Sequence, residues 1–178
     1  MNKLLSFVFI IGLLTAFCAF THTHPQAVTV TPESSAAEVE DIKWYTFEEA
    51  VEMNKTQPKK FLVDVYTDWC GWCKVMDKKT FTDNKVKAYV NEHFYAVKLD
   101  AEQKEAIQFN DNKFEFIANA GKRGIHTLAY SLLDGKMSYP SIVYLNEKFE
   151  RIAIAPGYKT PEQIMGDLTF AAEEQYKN

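Results

Sequence analysis

The chain has few cysteines and no basic stripe, and both absences exclude classes of protein. Three cysteines in 178 residues are too few for a disulfide-stapled scaffold. A zinc site would need two further ligands near Cys70 and Cys73, whereas His93 and His126 are single and distant in sequence. The net charge of -4, with lysine and glutamate interspersed, gives no surface for nucleic acid. We therefore expect no metal site and no nucleic acid partner.

A glycine-rich dinucleotide fingerprint is also missing. The chain has seven glycines and no G-x-G-x-x-G segment, which is the pattern that binds the phosphates of NADPH or flavin dinucleotides. The sequence therefore predicts no cofactor. Any electrons that the protein transfers would come from a partner.

Long apolar runs are confined to the N-terminus, where residues 1–20 combine Asn2-Lys3 with an apolar stretch. This pattern is typical of a secretory signal. The alternatives are an uncleaved membrane anchor, because the stretch is near the lower limit for spanning a bilayer, and a lipoprotein signal at Cys18. Residues 21–41 are rich in Thr, Pro, Ser, Ala and Glu and predict a flexible tether. A single domain is expected over 42–178, in the periplasm or otherwise exported.

The rest of the sequence alternates strand and helix patterns. The expected strands are 42–45, 61–67, 94–99, 141–145 and 151–154, and the expected helices are 46–54, 71–80, 84–92, 125–133 and 161–175. An insertion after the third strand contains a predicted aromatic hairpin, Ile107 to Phe116, with a four-residue turn at 110–113. His126 is interpreted as a helix-start histidine. This order predicts an α/β fold, a mixed central sheet with helices on both faces.

The most informative motif is Cys70-Gly71-Trp72-Cys73, which follows the apolar run 61–66 and precedes a helical pattern. The N-terminus of a helix favours a thiolate because its N–H groups are unpaired and its dipole end is positive. A C-x-x-C near a β-α-β pattern is a redox signature. The alternative is a static disulfide, but two-residue spacing at a helix start favours reversible dithiol–disulfide exchange.

Three segments carry a family resemblance. The block 62–74, the run Tyr139-Pro140-Ser141-Ile142 and the run 155–158 together resemble the thioredoxin-like superfamily. Residues 76–83 are similar to the C-terminal domain of the bacterial transmembrane disulfide reductase. The resemblance covers roughly 42–175 and implies a thioredoxin-like fold in an exported thioredoxin-related protein, with an insertion before a cis-proline loop.

The expected catalytic residues are Cys70, Cys73 and Asp64. Cys70, at the helix start, is expected to be partly exposed and to attack, while Cys73 would be shielded and resolve the mixed disulfide. The resemblance implies that Asp64 is a buried acid that exchanges a proton with Cys73, since a buried carboxylate needs a partner or a proton. The alternative is a surface residue on an edge strand. Lys98 matches the lysine near that acid, or is a plain exposed lysine.

Partner binding is expected around the motif. The resemblance implies a cis bond at Pro140, which would present the backbone of Tyr139 for strand pairing with an extended peptide. Aromatic residues around a reactive thiol also form a docking surface. The residues assigned to this surface are Trp69, Gly71, Trp72, Tyr139 and Pro140.

The leading interpretation is an exported thiol–disulfide oxidoreductase that reduces cysteines of other exported proteins. Its electrons would come from a membrane reductase or another thiol reductant. The alternatives are a disulfide isomerase or oxidase, and a non-enzymatic binding module or metal chaperone. The segment from about Gln103 to Leu133 is expected to govern the choice of partner.

Overall fold

The computed structural model describes residues 39–177; the predicted signal segment, Cys18 and nearly all of the predicted tether lie outside the described residues. The strands are β1 Trp44–Tyr45, β2 Lys60–Tyr66, β3 Phe94–Asp100, β4 Ile107–Phe109, β5 Asn112–Phe114, β6 Phe116–Ile117, β7 Ile125–His126, β8 Ser141–Leu145 and β9 Arg151–Pro156. The helices are α1 Phe47–Asn54, α2 Gly71–Lys79, α3 Asn84–His93, α4 Thr127–Leu132 and α5 Pro161–Ala172, followed by a 3-10 turn, Gln175–Lys177.

Strand β2 lies at the centre of a five-stranded mixed sheet with the order β1-β3-β2-β8-β9. It pairs with β3 in parallel, Asp64 opposite Lys98, and with β8 antiparallel, Asp64 opposite Ile142. The parallel pairing requires the crossover that α2 and α3 supply. The predicted α/β fold with a mixed central sheet is therefore confirmed.

The sheet separates two hydrophobic clusters because side chains alternate along β2. Phe61, Val63 and Val65 belong to the cluster under α1 and α4, and Leu62 belongs to the cluster under α2, α3 and α5. Burying one such side chain stabilises the fold by about 1.5–3 kcal/mol. By the same alternation, Asp64 is on the face that carries Leu62, so a carboxylate is set into an otherwise apolar layer.

The helices begin where capping residues stop the preceding strand or loop. Thr46 and Glu49 form the predicted capping box of α1, and Thr160 with Gln163 forms one for α5, with proline at its first position. The last helix was predicted too long. It ends at Ala172 because Glu174 takes a left-handed conformation (φ 58) and its carboxylate lies 3.3 Å from the Lys60 ammonium.

The insertion differs from its prediction in detail. The hairpin β4–β5 is present, but its turn is the two residues Asn110-Asp111, both with positive φ, rather than four. Phe116 is not part of this hairpin, because it lies on β6, which pairs with β7. Since Ile125 and His126 form β7, α4 begins at Thr127 and not at Ile125 as predicted. The insertion leaves and returns at Ala101, whose carbonyl accepts a 2.7 Å hydrogen bond from the N–H of His126.

Among residues 39–177, no helix has the length and apolar character needed to cross a membrane.

Candidate active site

The two cysteines lie at the junction between β2 and α2. Cys70 is the N-cap of α2, and Cys73 is in its first turn, so the helix brings the Cα atoms within 5.3 Å and the sulfurs form a disulfide. The Cys73 N–H donates a 3.1 Å hydrogen bond to Cys70 Sγ. The unpaired N–H groups and positive dipole end of α2 therefore surround the Cys70 sulfur, which favours a thiolate there once the disulfide is reduced.

The expected exposure of Cys70 is wrong for this disulfide form. Cys70 is 4% exposed and Cys73 is 2% exposed. The Cys70 sulfur turns inward as a helix cap and bonds to Cys73, while its neighbours take the outer positions: Trp69 is 53% and Trp72 is 62% exposed. A partner therefore meets the indole rings before it meets the disulfide.

Two aromatic pairs stand on either side of the disulfide. Trp69 packs edge-on against Tyr139, with ring centroids 5.9 Å apart. Trp72 packs against Tyr158 at 5.4 Å. Sequence reasoning gave Tyr158 no role, although it follows Gly157 in one of the segments that carry the resemblance. Each pair joins the cysteine motif to a loop that precedes or follows the last two strands.

The Tyr139–Pro140 peptide bond is cis. The Pro140 carbonyl accepts a 2.8 Å hydrogen bond from the Gly157 N–H, which ties this loop to the end of β9. An open, mostly apolar cleft of about 340 Å³ is lined by Trp72, Tyr139, Pro140, Gly157 and Tyr158. Gly71 borders open space, since a Cβ there would meet nothing within 4 Å.

Asp64 is buried, at 1% exposure, so it is not the surface residue of the alternative interpretation. Its Oδ2 lies 2.6 Å from Lys98 Nζ, and its Oδ1 has no hydrogen-bond partner among the described residues. Burial raises the pKa of Asp64, and the attraction of Lys98 opposes this without cancelling it. The carboxyl therefore holds a proton more readily than an ordinary aspartic acid does.

Lys98 is partly buried among aromatic rings and carboxylates. Its ammonium lies 4.7 Å from the ring centroid of Trp44 and 5.2 Å from that of Tyr66, and it binds both Asp64 and Asp77. Burial lowers the pKa of Lys98, but the two carboxylates outweigh burial and raise it. The lysine therefore stays protonated, and Asp77 still pairs with it when Asp64 takes up a proton.

Sequence reasoning missed Asp77. The signal that could have found it is its position on α2, four residues after Cys73, on the same side of the helix as that cysteine. Its partner Lys98 comes from a neighbouring strand, so the contact itself depends on the fold.

His126 is the helix-start histidine that the sequence predicted. Its Nδ1 accepts a hydrogen bond from the Leu128 N–H at 3.3 Å, and its Nε2 lies 3.2 Å from the Glu105 carbonyl. Burial lowers the pKa of His126, so the ring stays neutral. Its two hydrogen bonds connect α4, through Leu128, to the start of the insertion at Glu105. Among the described residues, no three His, Cys, Asp or Glu side chains are grouped to hold a metal ion.

Comparison with known proteins begins with short matches to two animal proteins. A 67-residue stretch is 33% identical to an uncharacterised protein of Caenorhabditis elegans and 28% identical to spermatogenesis-associated protein 20 of Rattus norvegicus. The stretch is 37% of this chain but only 9% and 8% of those proteins. The chain therefore spans a small part of the curated relatives it matches.

Solved structures show the fold. A DsbH oxidoreductase superposes with a TM-score of 0.54 at 16% identity, over 76% of this chain and 87% of that one. A thioredoxin from Thermus thermophilus gives 0.54 at 14% identity, over 72% and 85%. The predicted thioredoxin-like fold is confirmed. Together with a Cys-X-X-Cys disulfide at a helix start, it supports thiol–disulfide oxidoreductase chemistry in general.

A family model with the description "Thioredox_DsbH: Protein of unknown function, DUF255" matches residues 32–171. This range contains the cysteine pair, the cis-proline loop and the whole central sheet. The chain belongs to this family of thioredoxin-like proteins.

Proposed function

We propose that the protein is an exported thiol–disulfide oxidoreductase that reduces disulfides of other exported proteins through the Cys70–Cys73 couple. The observation that carries the proposal is the disulfide across the first turn of α2, with a buried, partly unpaired carboxylate on the central strand leading to it. A static structural disulfide would have no use for a buried acid, which costs stability.

The proposed reaction starts from the reduced dithiol. The Cys70 thiolate attacks one sulfur of the partner disulfide, and the other partner sulfur leaves as a thiolate and takes a proton. Cys73 then loses its proton and attacks the Cys70 sulfur, so the second partner sulfur leaves and is protonated. Two electrons and two protons pass to the partner, and the Cys70–Cys73 disulfide forms.

Asp64 is the proposed acceptor of the Cys73 proton. A general base works best with a pKa near the operating pH, and burial moves Asp64 in that direction. Lys98 and Asp77 are positioning residues in this scheme, because Lys98 holds Oδ2 and leaves Oδ1 free.

The proposed partner surface is the edge beside the cis-proline. An extended peptide would pair with the backbone of Tyr139 and lie between two aromatic pairs, Trp69 with Tyr139 and Trp72 with Tyr158. Pro140 and Gly71 would let the chain approach closely, since no Cβ at Gly71 blocks it.

Export and the reducing direction rest on the sequence. The N-terminal segment 1–20 is typical of a secretory signal. An exported reductant needs a thiol donor, and the proposed donor is a membrane reductase or another thiol reductant. Cell fractionation tests export: the mature protein should be found outside the cytoplasm, shortened by about twenty residues. A full-length cytoplasmic product would contradict it.

The central experiment is a trapping pair. Cys73→Ser should accumulate mixed disulfides with exported proteins, because the attacking thiol is kept and the resolving thiol is lost. Cys70→Ser, the matched control, should trap none. The reduction potential of the couple decides the direction: a potential well above that of thioredoxin, about -270 mV, would favour the oxidase or isomerase alternative. Stoichiometric Cu(I) binding without disulfide exchange would instead favour the metal chaperone.

A further inference from the structure

A second cleft borders Trp69, the residue immediately before Cys70, and shares Tyr139 with the cleft beside Trp72. It has a volume of about 300 Å³ and lies between the cysteine motif, the cis-proline loop and the turn that joins β6 to β7. Its apolar walls are Trp69, Ile125, Met137 and Tyr139. The insertion therefore reaches the active site through this turn, rather than through the hairpin β4–β5.

The turn is held firmly in place. Gly124 has a positive φ of 82, and a Cβ there would overlap the Phe116 ring, so the backbone packs directly on the ring. Lys104 Nζ lies 3.0 Å from the Phe116 ring centroid. His126 then ties β7 to Ala101 and Glu105 by hydrogen bonds. These contacts fix the backbone at Gly124 and β7, next to the exposed residues Lys122 and Arg123.

The charges that line the cleft are unequal. Lys122 and Arg123 contribute two cations, and both residues are exposed. Glu102 contributes one carboxylate, and its Oε1 already accepts a 3.0 Å hydrogen bond from Trp69 Nε1. Asp100 is not among the lining residues, and its Oδ1 accepts from the Glu102 N–H. Both Glu102 and Asp100 lie close enough to Tyr139 to act on its hydroxyl, so the positive charge of the cleft is confined to the side of Lys122 and Arg123.

Arg123 is the cation of this cleft that packs against Trp69. Its guanidinium lies 5.5 Å from the ring centroid of Trp69, the residue immediately before Cys70. A peptide paired with the Tyr139 edge directs successive side chains to opposite sides. When its cysteine faces the disulfide, the side chains two positions before and after it face the same surface, where they meet Trp72 or the Arg123 cleft.

We infer that this cleft is a specificity subsite for a carboxylate side chain two residues away from the partner's cysteine, with Arg123 as the residue that selects it. The inference rests on the proposed function and names the substrate class of the same site. An aspartate or glutamate would place its apolar stem against Met137 and Tyr139 and its charge at the guanidinium. Lysine at that position would meet like charge.

The test uses the reduced full-length mature protein and synthetic peptides closed by one internal disulfide. The peptides differ only in carrying Glu, Gln or Lys two positions before and after one cysteine. Each reaction converts the protein dithiol and the peptide disulfide into the protein disulfide and the peptide dithiol, and the change in tryptophan fluorescence gives its second-order rate constant.

At low salt, the Glu peptide should react about two- to five-fold faster than the Lys peptide, the range expected for one exposed charge pair. Arg123→Glu should reverse the order. Lys148→Glu carries the same charge change on the exposed turn at the far end of β8 and should keep it. Salt at about 0.5 M should remove the preference in the unaltered protein, because it screens exposed charges.

The outcomes separate the two proposals. Equal rates for all three peptides, with efficient reduction of each, would overturn the carboxylate subsite and leave the oxidoreductase intact. A preference that Arg123→Glu and Lys148→Glu change equally would also overturn it, since net charge alone would then explain the effect. Failure to reduce any peptide or insulin would overturn the proposed function itself.

Discussion

Replacing Asp64 by asparagine should make the protein more stable and slower at the same time. Asparagine keeps the shape of the side chain and removes its charge. The usual cost of deleting one partner of a buried ion pair is an orphaned charge, but here Lys98 keeps Asp77 as its partner. The variant therefore loses the acceptor's charge in the contact with Lys98, which costs at most the roughly 1.5–3 kcal/mol of a charged hydrogen bond. It also avoids the desolvation of a carboxylate, which costs several kcal/mol.

The expected net gain, the difference between these two terms, is about 1–3 kcal/mol in the free energy of unfolding at neutral pH. Its pH dependence identifies the cause. The ordinary pKa of the carboxyl is 3.8 and burial raises it in the native state, so the native state binds more protons than the unfolded state. Wild-type stability should therefore fall as pH rises through this window. The asparagine variant lacks this fall.

Urea unfolding of the disulfide form, from about pH 4 to about pH 8, measures both curves. The difference between variant and wild type should be small at the acid end, near the ordinary carboxyl pKa, and should grow with pH. Asp77→Asn is the matched control: it removes a carboxylate from the same lysine, but Asp77 is half-exposed. Its negative charge helps to raise the pKa of Asp64. In this variant, the decrease in the free energy of unfolding with rising pH should therefore occur at lower pH than in the wild type.

The same Asp64→Asn protein should attack disulfides normally and resolve mixed disulfides about 100-fold more slowly, the lower end of what a positioned acid–base group contributes. Stopped-flow single turnovers separate the two steps. A stability difference that is constant across pH, or a variant that is less stable throughout, would refute the argument from burial. Unchanged resolution would leave Asp64 with a structural role only.

Three further predictions concern other parts of the fold. Gly124→Ala should lower the free energy of unfolding by about 2–3 kcal/mol through overpacking against Phe116, whereas Gly166→Ala, in open space within α5, should raise it by about 0.5–1 kcal/mol; urea unfolding measures both. Burial lowers the pKa of His126 from 6.5, so the unfolded state takes up a proton first as the pH drops, and the free energy of unfolding should fall in that region. His126→Gln should remove this decrease at low pH. An unchanged decrease would show that other groups cause it. Trp72→Ala should raise KM for a protein disulfide, while Phe170→Ala, an equally apolar exposed residue on α5, should not; steady-state assays with a protein disulfide and with a small one distinguish docking from chemistry.

Much of the central sheet could be predicted because its signals are local. The apolar run ending at Tyr66, the Thr46 and Thr160 caps, and the cysteine spacing each determine their own element through nearby residues. Asp64 was recognisable since a charge interrupts an apolar strand.

The rest depends on pairing between distant residues. Asp77 becomes part of the site only when α2 is laid over β3 and meets Lys98. Likewise, β6 and β7 are two residues each and are strands only because they pair, so the sequence favoured a helix starting at Ile125. The cis bond at Pro140 came from the family resemblance, since no local pattern distinguishes it. The burial of Cys70 depends on packing that spacing does not encode.

The return of the insertion to its starting point has an evolutionary consequence. Both ends of the insertion meet at Ala101, whose carbonyl accepts a hydrogen bond from the His126 N–H. The order of strands in the central sheet is therefore not interrupted by the insertion. Lengthening such a closed segment costs little, about 0.6 kcal/mol for each doubling of its length. Insertions and deletions in this segment should therefore be tolerated in evolution without disturbing the central sheet that carries the redox centre.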